Sequence, residues 1–179
     1  MKILLHICCG PCALYCVKSL REKGNEVEGL FYNPNIHPVS EYMARRDALK
    51  VAAEAVNLDV HYHRELQFED FFRKVALHED SSRCPLCWEL RLKQTAEFAQ
   101  RNDFEAFTTT LLISPYQDQK KINEMGSELA EKYSVKFLSE NFRRGFNESH
   151  KMSKEMGLYH QKYCGCVYSE RERQARLKS

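Results

Sequence analysis

The chain has 179 residues, of which 43% are hydrophobic and 29% are charged. This balance suits one globular domain, 1–179, and it excludes a disordered chain or a miniprotein that depends on disulfides. The 27 basic and 25 acidic residues leave a net charge of +2, which neither requires nor excludes a nucleic-acid partner. No segment has the length of a membrane span or the pattern of a signal peptide, so we expect a cytoplasmic protein without a membrane partner.

Short apolar runs alternate with segments of helical periodicity over the first 140 residues. We predict strands at 2–8, 26–32, 58–62, 104–109 and 134–138. We predict helices at 12–23, 40–57, 68–77, about 85–101 and 118–132, with a polar loop at 78–83. The alternation predicts an α/β class, a Rossmann-like three-layer fold with a parallel sheet and a helical C-terminal segment.

The alternation stops after the predicted core, 1–140. Residues 141–179 are predicted to form a helical, basic extension that packs near the active site. Aromatic residues stand between its cations, which suits single-stranded RNA, although solvated helix faces also explain many of these cations. The cations are Arg143, Arg144, Lys151, Lys154, Lys162, Arg171, Arg173 and Arg176.

Eight cysteines are the unusual feature of the composition. In a reducing compartment, clustered thiols more often bind metal or perform redox chemistry than form structural disulfides. The sequence groups them as Cys8, Cys9, Cys12 and Cys16; Cys84 and Cys87; and Cys164 and Cys166.

Two of these groups fall where open α/β sheets bind ligands. Cys8 and Cys9 end the first predicted strand beside a Gly-Pro turn, and Cys84 and Cys87 lie three residues apart at a predicted helix start. Four converging thiolates suit either zinc or an iron–sulfur cluster, and the spacing does not choose between them. Cys12 is either a fifth thiol of this site or a buried thiol at a helix start.

The Cys164-Gly165-Cys166 segment indicates chemistry that is separate from the four-thiolate site. Gly165 lets the backbone turn tightly enough to bring both sulfur atoms together, and a disulfide over so short a loop is strained and readily reduced. Such a bond restricts the unfolded chain very little, so stability is a poor reason for it. We therefore predict that Cys164 and Cys166 are a redox-active pair, rather than two further metal ligands.

Five segments together resemble the cobalamin-independent epoxyqueuosine reductases, the QueH family. The resemblance covers nearly the whole chain, and several of its motifs are long and unusual. The segments are LLHICCGPC, FYNPNIHPVSEYMARR, CPLCWELRLKQTA, FTTTLLISPYQDQKKI and SKEMGLYHQKYCGCVYSERER.

The resemblance implies an oxidoreductase of tRNA processing that performs the last step of queuosine biosynthesis. The epoxide of epoxyqueuosine is then reduced to the alkene at the wobble base of tRNAs for Asn, Asp, His and Tyr. The expected partners are the tRNA anticodon loop and an external electron donor, since the sequence contains no flavin or nicotinamide signature.

The same resemblance assigns roles to the cysteines. The ligands that it implies for a [4Fe–4S] cluster are Cys8, Cys9, Cys84 and Cys87. It also implies a redox-active disulfide between Cys164 and Cys166. Because four cysteine ligands leave such a cluster no open coordination position, Cys12 is a candidate ligand for an additional iron.

Two other functions are weighed against this one. A cluster-dependent tRNA sulfur-transfer enzyme has a similar α/β sheet, but it is expected to activate the base with ATP, and the phosphate-binding glycine-rich loop is missing from the sequence. A non-enzymatic zinc or RNA-binding module would be colourless, whereas a cluster protein is brown.

Overall fold

The computed structural model describes residues 1–63, 68–78 and 82–177. The strands are β1 (Lys2–His6), β2 (Glu26–Phe31), β3 (Val60–Tyr62), β4 (Ala106–Thr109) and β5 (Lys136–Phe137). The α-helices are α1 (Gly10–Glu22), α2 (Val39–Ala55), α3 (Phe68–Val75), α4 (Arg83–Arg101), α5 (Gln119–Tyr133), α6 (Phe146–Glu155) and α7 (Val167–Arg176). The described residues also form two 3₁₀ helices, Thr110–Ile113 and Phe142–Gly145. None of these helices combines the length and the apolar character that crossing a membrane requires.

All five strands run parallel in one sheet, with the order β3-β2-β1-β4-β5. β1 lies at the centre, where Ile3 pairs with Val27 of β2 and with Ala106 of β4. Its residues 3–5 are wholly buried, as expected for a strand covered on both faces by helices. The predicted α/β fold with three layers is thus confirmed. Because β2 and β4 lie on opposite sides of β1, the strand order reverses there, which is where such sheets bind ligands.

The strands are shorter than the sequence predicts, and the end of β1 shows the reason. Ile7 still donates its N–H to the Leu30 carbonyl of β2, but its own carbonyl accepts from the Asn33 side chain at 2.9 Å. The pairing with β4 has ended at His6, so the following cysteines lie in a loop. Residues 79–81 of the predicted polar loop and the last two residues of the predicted extension lie outside the described residues.

α1 begins directly after Cys9 and packs closely against α2. A Cβ atom at Gly10 would lie 2.6 Å from the carbonyl oxygen of Ala48 and 2.8 Å from its carbonyl carbon. Backbone atoms inside a helix cannot move aside as a flexible side chain can, so a glycine is required for this close approach. The contact fixes the start of α1, and with it the direction in which the neighbouring cysteines project.

We expect Gly10→Ala to lower the free energy of unfolding by about 1–3 kcal/mol, because the added methyl group forces α1 and α2 apart. Urea denaturation monitored by circular dichroism measures this loss. Ser127→Ala, on the exposed face of α5, is the control and should change the stability by less than about 0.5 kcal/mol. Equal midpoints for both variants would show that the helices separate without cost.

The helix α6 packs against α1 through a buried serine. The Ser149 hydroxyl donates a hydrogen bond to the Pro11 carbonyl at 2.5 Å and accepts one from the Tyr15 amide at 3.2 Å. The hydroxyl thus bonds to both members of one backbone pair of α1, the Pro11 carbonyl and the amide four residues later. The extension therefore contacts the element that follows the first cysteines, while its division from the core at residue 140 stays a prediction.

α7 is attached to the molecule differently, because none of its side chains is buried. The Arg83 guanidinium at the start of α4 forms an ion pair with Glu172 at 2.5 Å and lies over the Tyr168 ring at 5.2 Å. Its first turn is fixed by the N-cap residue, Cys166. Polar contacts and the packing of Tyr168 against a small apolar cluster thus hold this helix.

Candidate metal centre

The carboxyl ends of β1 and β4 form the crevice at which the strand order reverses. His6, the last residue of β1, is wholly buried. Burial and the positive charge of Arg91 lower the pKa of His6 to about 4, so its ring is neutral at pH 7. Its Nε2 donates to the Tyr32 carbonyl at 3.2 Å, and its Nδ1 accepts from the Thr109 hydroxyl at 2.8 Å. These bonds join the ends of three strands beneath the cysteines.

The sulfur atoms of Cys8, Cys9 and Cys12 lie within 4.8 Å of one another and form a triad. Cys9 has extended backbone angles, φ −167° and ψ 159°, and is the N-cap of α1, so the chain turns between the strand and the helix. Cys12 follows three residues later, a spacing that returns its side chain to the same side. The triad therefore offers three soft sulfur ligands in one place, which suits a metal.

One thiolate is favoured within the triad. Hydrogen bonds from Cys12 and Cys9 hold the pKa of Cys8 well below its usual range despite burial, and the bond to Cys8 raises the pKa of Cys12. The bond with Cys12 lowers the pKa of Cys9, but the bond with Cys8 and burial outweigh it, so this pKa is also raised. Because metals bind thiolates, a metal in the triad would release the protons of Cys9 and Cys12.

Cys84 and Cys87 lie in the first turn of α4, where Pro85 has a fixed φ suited to a helix start. Their spacing places both sulfur atoms on one side of the helix. Cys84 is half-buried and Cys87 is buried. Burial raises the pKa of Cys84, and it raises the pKa of Cys87 to about 12. Both are thus neutral thiols that a metal would have to deprotonate.

Arg45 of α2 holds the backbone of the CGC segment (164–166). Its Nη1 donates to the Cys164 carbonyl at 3.0 Å, and its Nη2 donates to the Tyr163 carbonyl at 2.9 Å. Gly165 has a φ of +140°, which side chains rarely allow, and a Cβ there would have a neighbouring side-chain atom at 3.1 Å. A fixed backbone turn therefore presents the two cysteines.

The two thiols of the CGC segment differ in their surroundings. Cys166 is buried, accepts a hydrogen bond from the Ser169 amide at 3.4 Å, and shares an apolar cluster with Cys87. Cys164 is exposed, and the Gln117 side chain donates to its sulfur at 3.5 Å. Both are free thiols in this structure, and the disulfide between them stays a prediction.

Gln161 and Arg91 make polar contacts to two of the cysteine groups. The side-chain amide of Gln161, just before the CGC segment, donates to the Cys9 sulfur at 3.1 Å. Arg91, one turn after Cys87 on α4, donates a hydrogen bond to the Cys87 carbonyl. The Gln161 contact therefore links the C-terminal extension directly to the triad.

Arg45 and Arg91 are the largest wholly buried side chains of the described residues, and each is 1% exposed. Arg45 forms an ion pair with Glu41 on the same helix, with 2.7 Å between Nε and Oε1. Arg91 donates from Nε to the Cys87 carbonyl at 3.2 Å. Arg91 is thus a buried cation next to a cysteine, without a carboxylate partner among the described residues, which suits an anionic metal–thiolate group nearby.

The ligand set predicted from the sequence stays a prediction. Two sulfur atoms bonded to one ion at about 2.3 Å are at most about 4.6 Å apart. Among the described residues, the sulfur atoms of Cys8, Cys9 and Cys12 lie about this close together. Neither Cys84 nor Cys87 belongs to this group. A four-iron cluster needs wider spacing, because each thiolate binds a different iron atom. The triad thus supports a metal site without choosing the metal.

A family model described as epoxyqueuosine reductase QueH matches residues 3–172. The chain belongs to the QueH family. A relative of this name from Thermotoga maritima is 40% identical over 179 residues, which cover 96% of this chain and 91% of that protein. Another, from Dehalococcoides mccartyi, is 36% identical over 172 residues, covering 96% and 94%. The resemblance recognised in the cysteine motifs is therefore confirmed.

A related fold occurs in a protein of another description. The crystal structure of a predicted subunit of tRNA methyltransferase from Methanocaldococcus jannaschii matches with a TM-score of 0.57. The match covers 99% of this chain and 87% of that chain, at 11% sequence identity. At so low an identity, the likeness shows the α/β fold and nothing about function.

The polar residues around the QueH-family cysteines were missed from the sequence. Arg45 and Arg91 lie in helical segments in which most charged residues are solvated, and Gln161 carries no motif of its own. The signal available was spacing, since Arg45 follows Glu41 and Arg91 follows Cys87 by four residues. The same spacing is typical of exposed helix faces, so it does not predict burial.

Proposed function

We propose that this chain is an epoxyqueuosine reductase, which reduces the epoxide of epoxyqueuosine to the alkene of queuosine. The substrate is the wobble base of tRNAs for Asn, Asp, His and Tyr, and the reaction takes place in the cytoplasm. One observation carries the proposal: the sulfur atoms of Cys8, Cys9 and Cys12 lie within 4.8 Å of one another at the switch point of the sheet. Its relatives in the QueH family bear the name of this activity.

The residues present fit a [4Fe–4S] cluster. Cysteine thiolates are the usual ligands of such clusters. The proposed ligands are Cys8, Cys9, Cys84 and Cys87. Buried Arg91 bonds to the Cys87 carbonyl, and its Nη2 has no hydrogen-bond partner within the described residues, as expected beside an anionic group. A cluster held there would supply electrons singly at low potential.

Cys12 is proposed to bind an additional iron. A cluster with four cysteine ligands has no coordination position left for the epoxide oxygen. The triad supports a further ligand, because the Cys12 sulfur lies within 4.8 Å of those of Cys8 and Cys9. The chemistry that such an ion supplies is polarisation of the C–O bond.

The Cys164–Cys166 pair can supply as many electrons and protons as the reduction of the epoxide consumes. Breaking both C–O bonds of the epoxide, forming the C=C bond and releasing the oxygen as water consumes two electrons and two protons. Oxidation of two thiols to one disulfide supplies two electrons and two protons. We infer that each turnover leaves this pair as a disulfide, and that an external dithiol or electron-transfer protein reduces it again.

The exposure of the two thiols suits this role. A reductant attacks a disulfide at an accessible sulfur, and Cys164 is exposed. Cys166 is buried and packs in the apolar cluster that contains Cys87, one of the proposed cluster ligands. The pair thus has one sulfur facing solvent and one facing the metal centre, an arrangement suited to relaying electrons inward.

The tRNA anticodon loop is the proposed partner of the exposed cations in the C-terminal extension. Arg143 and Arg144 lie in the 3₁₀ helix before α6, and both are exposed. Arg143 donates to the Gln117 carbonyl at 2.8 Å, while Gln117 donates to the Cys164 sulfur. Arg143 therefore adjoins the CGC segment, near the site that the wobble base has to reach.

Changing Arg143 and Arg144 to Ala should weaken tRNA binding several-fold and reduce its salt dependence. For every phosphate that an arginine no longer neutralises, the negative slope of log K against log salt should become shallower by about 0.7. Fluorescence anisotropy with labelled tRNA at several salt concentrations measures both effects. The control pair, Arg101→Ala and Lys132→Ala, lies at the ends of α4 and α5, at the opposite edge of the sheet. Unchanged binding in the first pair would remove this segment from the contact surface.

Anaerobic, iron-reconstituted protein incubated with epoxyqueuosine-containing tRNA and a chemical reductant tests the function. Mass spectrometry of the digested tRNA should show loss of one oxygen atom from the modified nucleoside. A sulfur-transfer enzyme would leave the epoxide in place. A colourless protein that retains zinc and leaves the tRNA unchanged would contradict the proposal.

A further inference from the structure

We propose that Arg91 is the counter-ion of the anionic group held by the cysteines, and that it raises the reduction potential of that group. This inference rests on the cluster of the proposed function. Arg91 acts through the cluster, so it is a positioning residue whose effect is electrostatic.

The burial and the bonding of Arg91 point to a missing anion. The side chain is 1% exposed, and Nη2 donates no hydrogen bond to any residue of 1–63, 68–78 or 82–177. A guanidinium offers five N–H donors, and leaving one buried without an acceptor costs free energy. The ion pairs of these residues do not include Arg91 either. Its charge therefore lacks a local compensating carboxylate among them.

Arg45 shows how this protein treats a buried arginine that needs no further partner. Its Nε is paired with Glu41 at 2.7 Å, and its two Nη atoms donate to backbone carbonyls at 3.0 and 2.9 Å. Three donors of Arg45 thus have acceptors, and a carboxylate offsets its charge. Arg91 is buried to the same degree without that neutralisation. Arg45 is therefore a structural arginine, whereas Arg91 is suited to binding an anion.

The surroundings of Arg91 show where that anion belongs. Arg91 lies one turn after Cys87 on α4, and its Nε bonds to the Cys87 carbonyl. One helix thus carries a proposed ligand and, one turn further on, a buried cation that bonds to the backbone of that ligand.

A counter-ion in this position favours the reduced cluster. Four thiolates give a [4Fe–4S] cluster in its 2+ state a net charge of −2, and addition of one electron makes it −3. A buried cation stabilises the more negative form more strongly, and N–H donors near the sulfur atoms act in the same direction. Loss of Arg91 should therefore lower the midpoint potential.

The test compares Arg91→Gln and Arg91→Lys with the wild-type protein. Arg101→Gln is the matched control, since Arg101 is exposed at the other end of the same helix. Redox titration with dithionite, followed by electron paramagnetic resonance, measures the one-electron potential. We expect R91Q to lower the equilibrium constant for reduction of the cluster at least about tenfold. This corresponds to a midpoint potential that is lower by about 59 mV for one electron. R91K should restore part of this loss, and R101Q should match the wild type.

Stability of the metal-free proteins supplies the second measurement. If Arg91 awaits an anion, metal-free R91Q should resist urea at least as well as the wild type, because it buries no uncompensated charge. Clear destabilisation of metal-free R91Q would assign Arg91 a structural role and overturn the inference. An unchanged potential in R91Q with a full cluster would also overturn it. Absence of a cluster in the wild type would instead contradict the proposed function, and the metal-free comparison would still decide the role of Arg91.

Discussion

Replacement of Cys164 or Cys166 by Ser is expected to slow turnover by at least about 10³-fold, because a serine cannot form the disulfide that supplies electrons and protons. The cluster absorbance and the fold should remain. Cys164 is exposed, and a serine at position 166 is a favourable N-cap for α7. Steady-state assays with epoxyqueuosine-containing tRNA, together with visible and circular dichroism spectra, measure both parts.

Thiol alkylation before and after turnover provides an independent check on the same pair. In the wild-type protein, one turnover without external reductant should protect both Cys164 and Cys166 from alkylation. In either Ser variant, the remaining cysteine should stay reactive. Loss of the cluster in a Ser variant would make the pair metal ligands, and full activity in both variants would leave the pair without a redox role.

Replacement of any proposed cluster ligand by Ala should abolish the cluster. The four variants change Cys8, Cys9, Cys84 and Cys87. Each removes a thiolate that binds its own iron atom, so we expect iron content and broad visible absorbance after reconstitution to fall close to zero. Cys16→Ala is the matched control: Cys16 is 0% exposed in the core, and its loss should leave the iron content unchanged.

Cys12→Ala separates the two arrangements that the triad permits. If Cys12 binds only an additional iron, this variant should keep the cluster absorbance while it loses some iron and its activity. If Cys12 is a cluster ligand instead, the absorbance should disappear in Cys12→Ala and persist in Cys84→Ala or in Cys87→Ala. That pattern would replace the predicted ligand set by one that includes the whole triad.

The fold was readable from the sequence because its signals are local. Apolar runs such as 2–8 and 26–32 are typical of strands buried in a parallel sheet, and Gly24 ends the helix between them. The strand ends were less predictable, since they depend on partners elsewhere in the chain. β1 ends at His6 because the Ile7 carbonyl accepts a hydrogen bond from the Asn33 side chain instead of from a neighbouring strand.

The site was readable only in part. The grouping of its cysteines and their positions at strand and helix ends follow directly from the sequence. Cys12 was undecided, because only the turn at Cys9 and the start of α1 at Gly10 bring its sulfur to Cys8. The burial of Arg45 and Arg91 was beyond prediction, since it is decided by how separate helices pack.

The attachment of α7 has a kinetic consequence for the CGC segment. A helix with no buried side chain, fixed by an N-cap, by contacts to Arg83 and by the packing of Tyr168, has few contacts to break when it detaches while the sheet stays folded. Such a local opening would uncover Cys166 without disturbing α1 or the triad. Access of a bulky reductant to the inner sulfur is then governed by the opening rate of this helix, rather than by the width of a permanent channel.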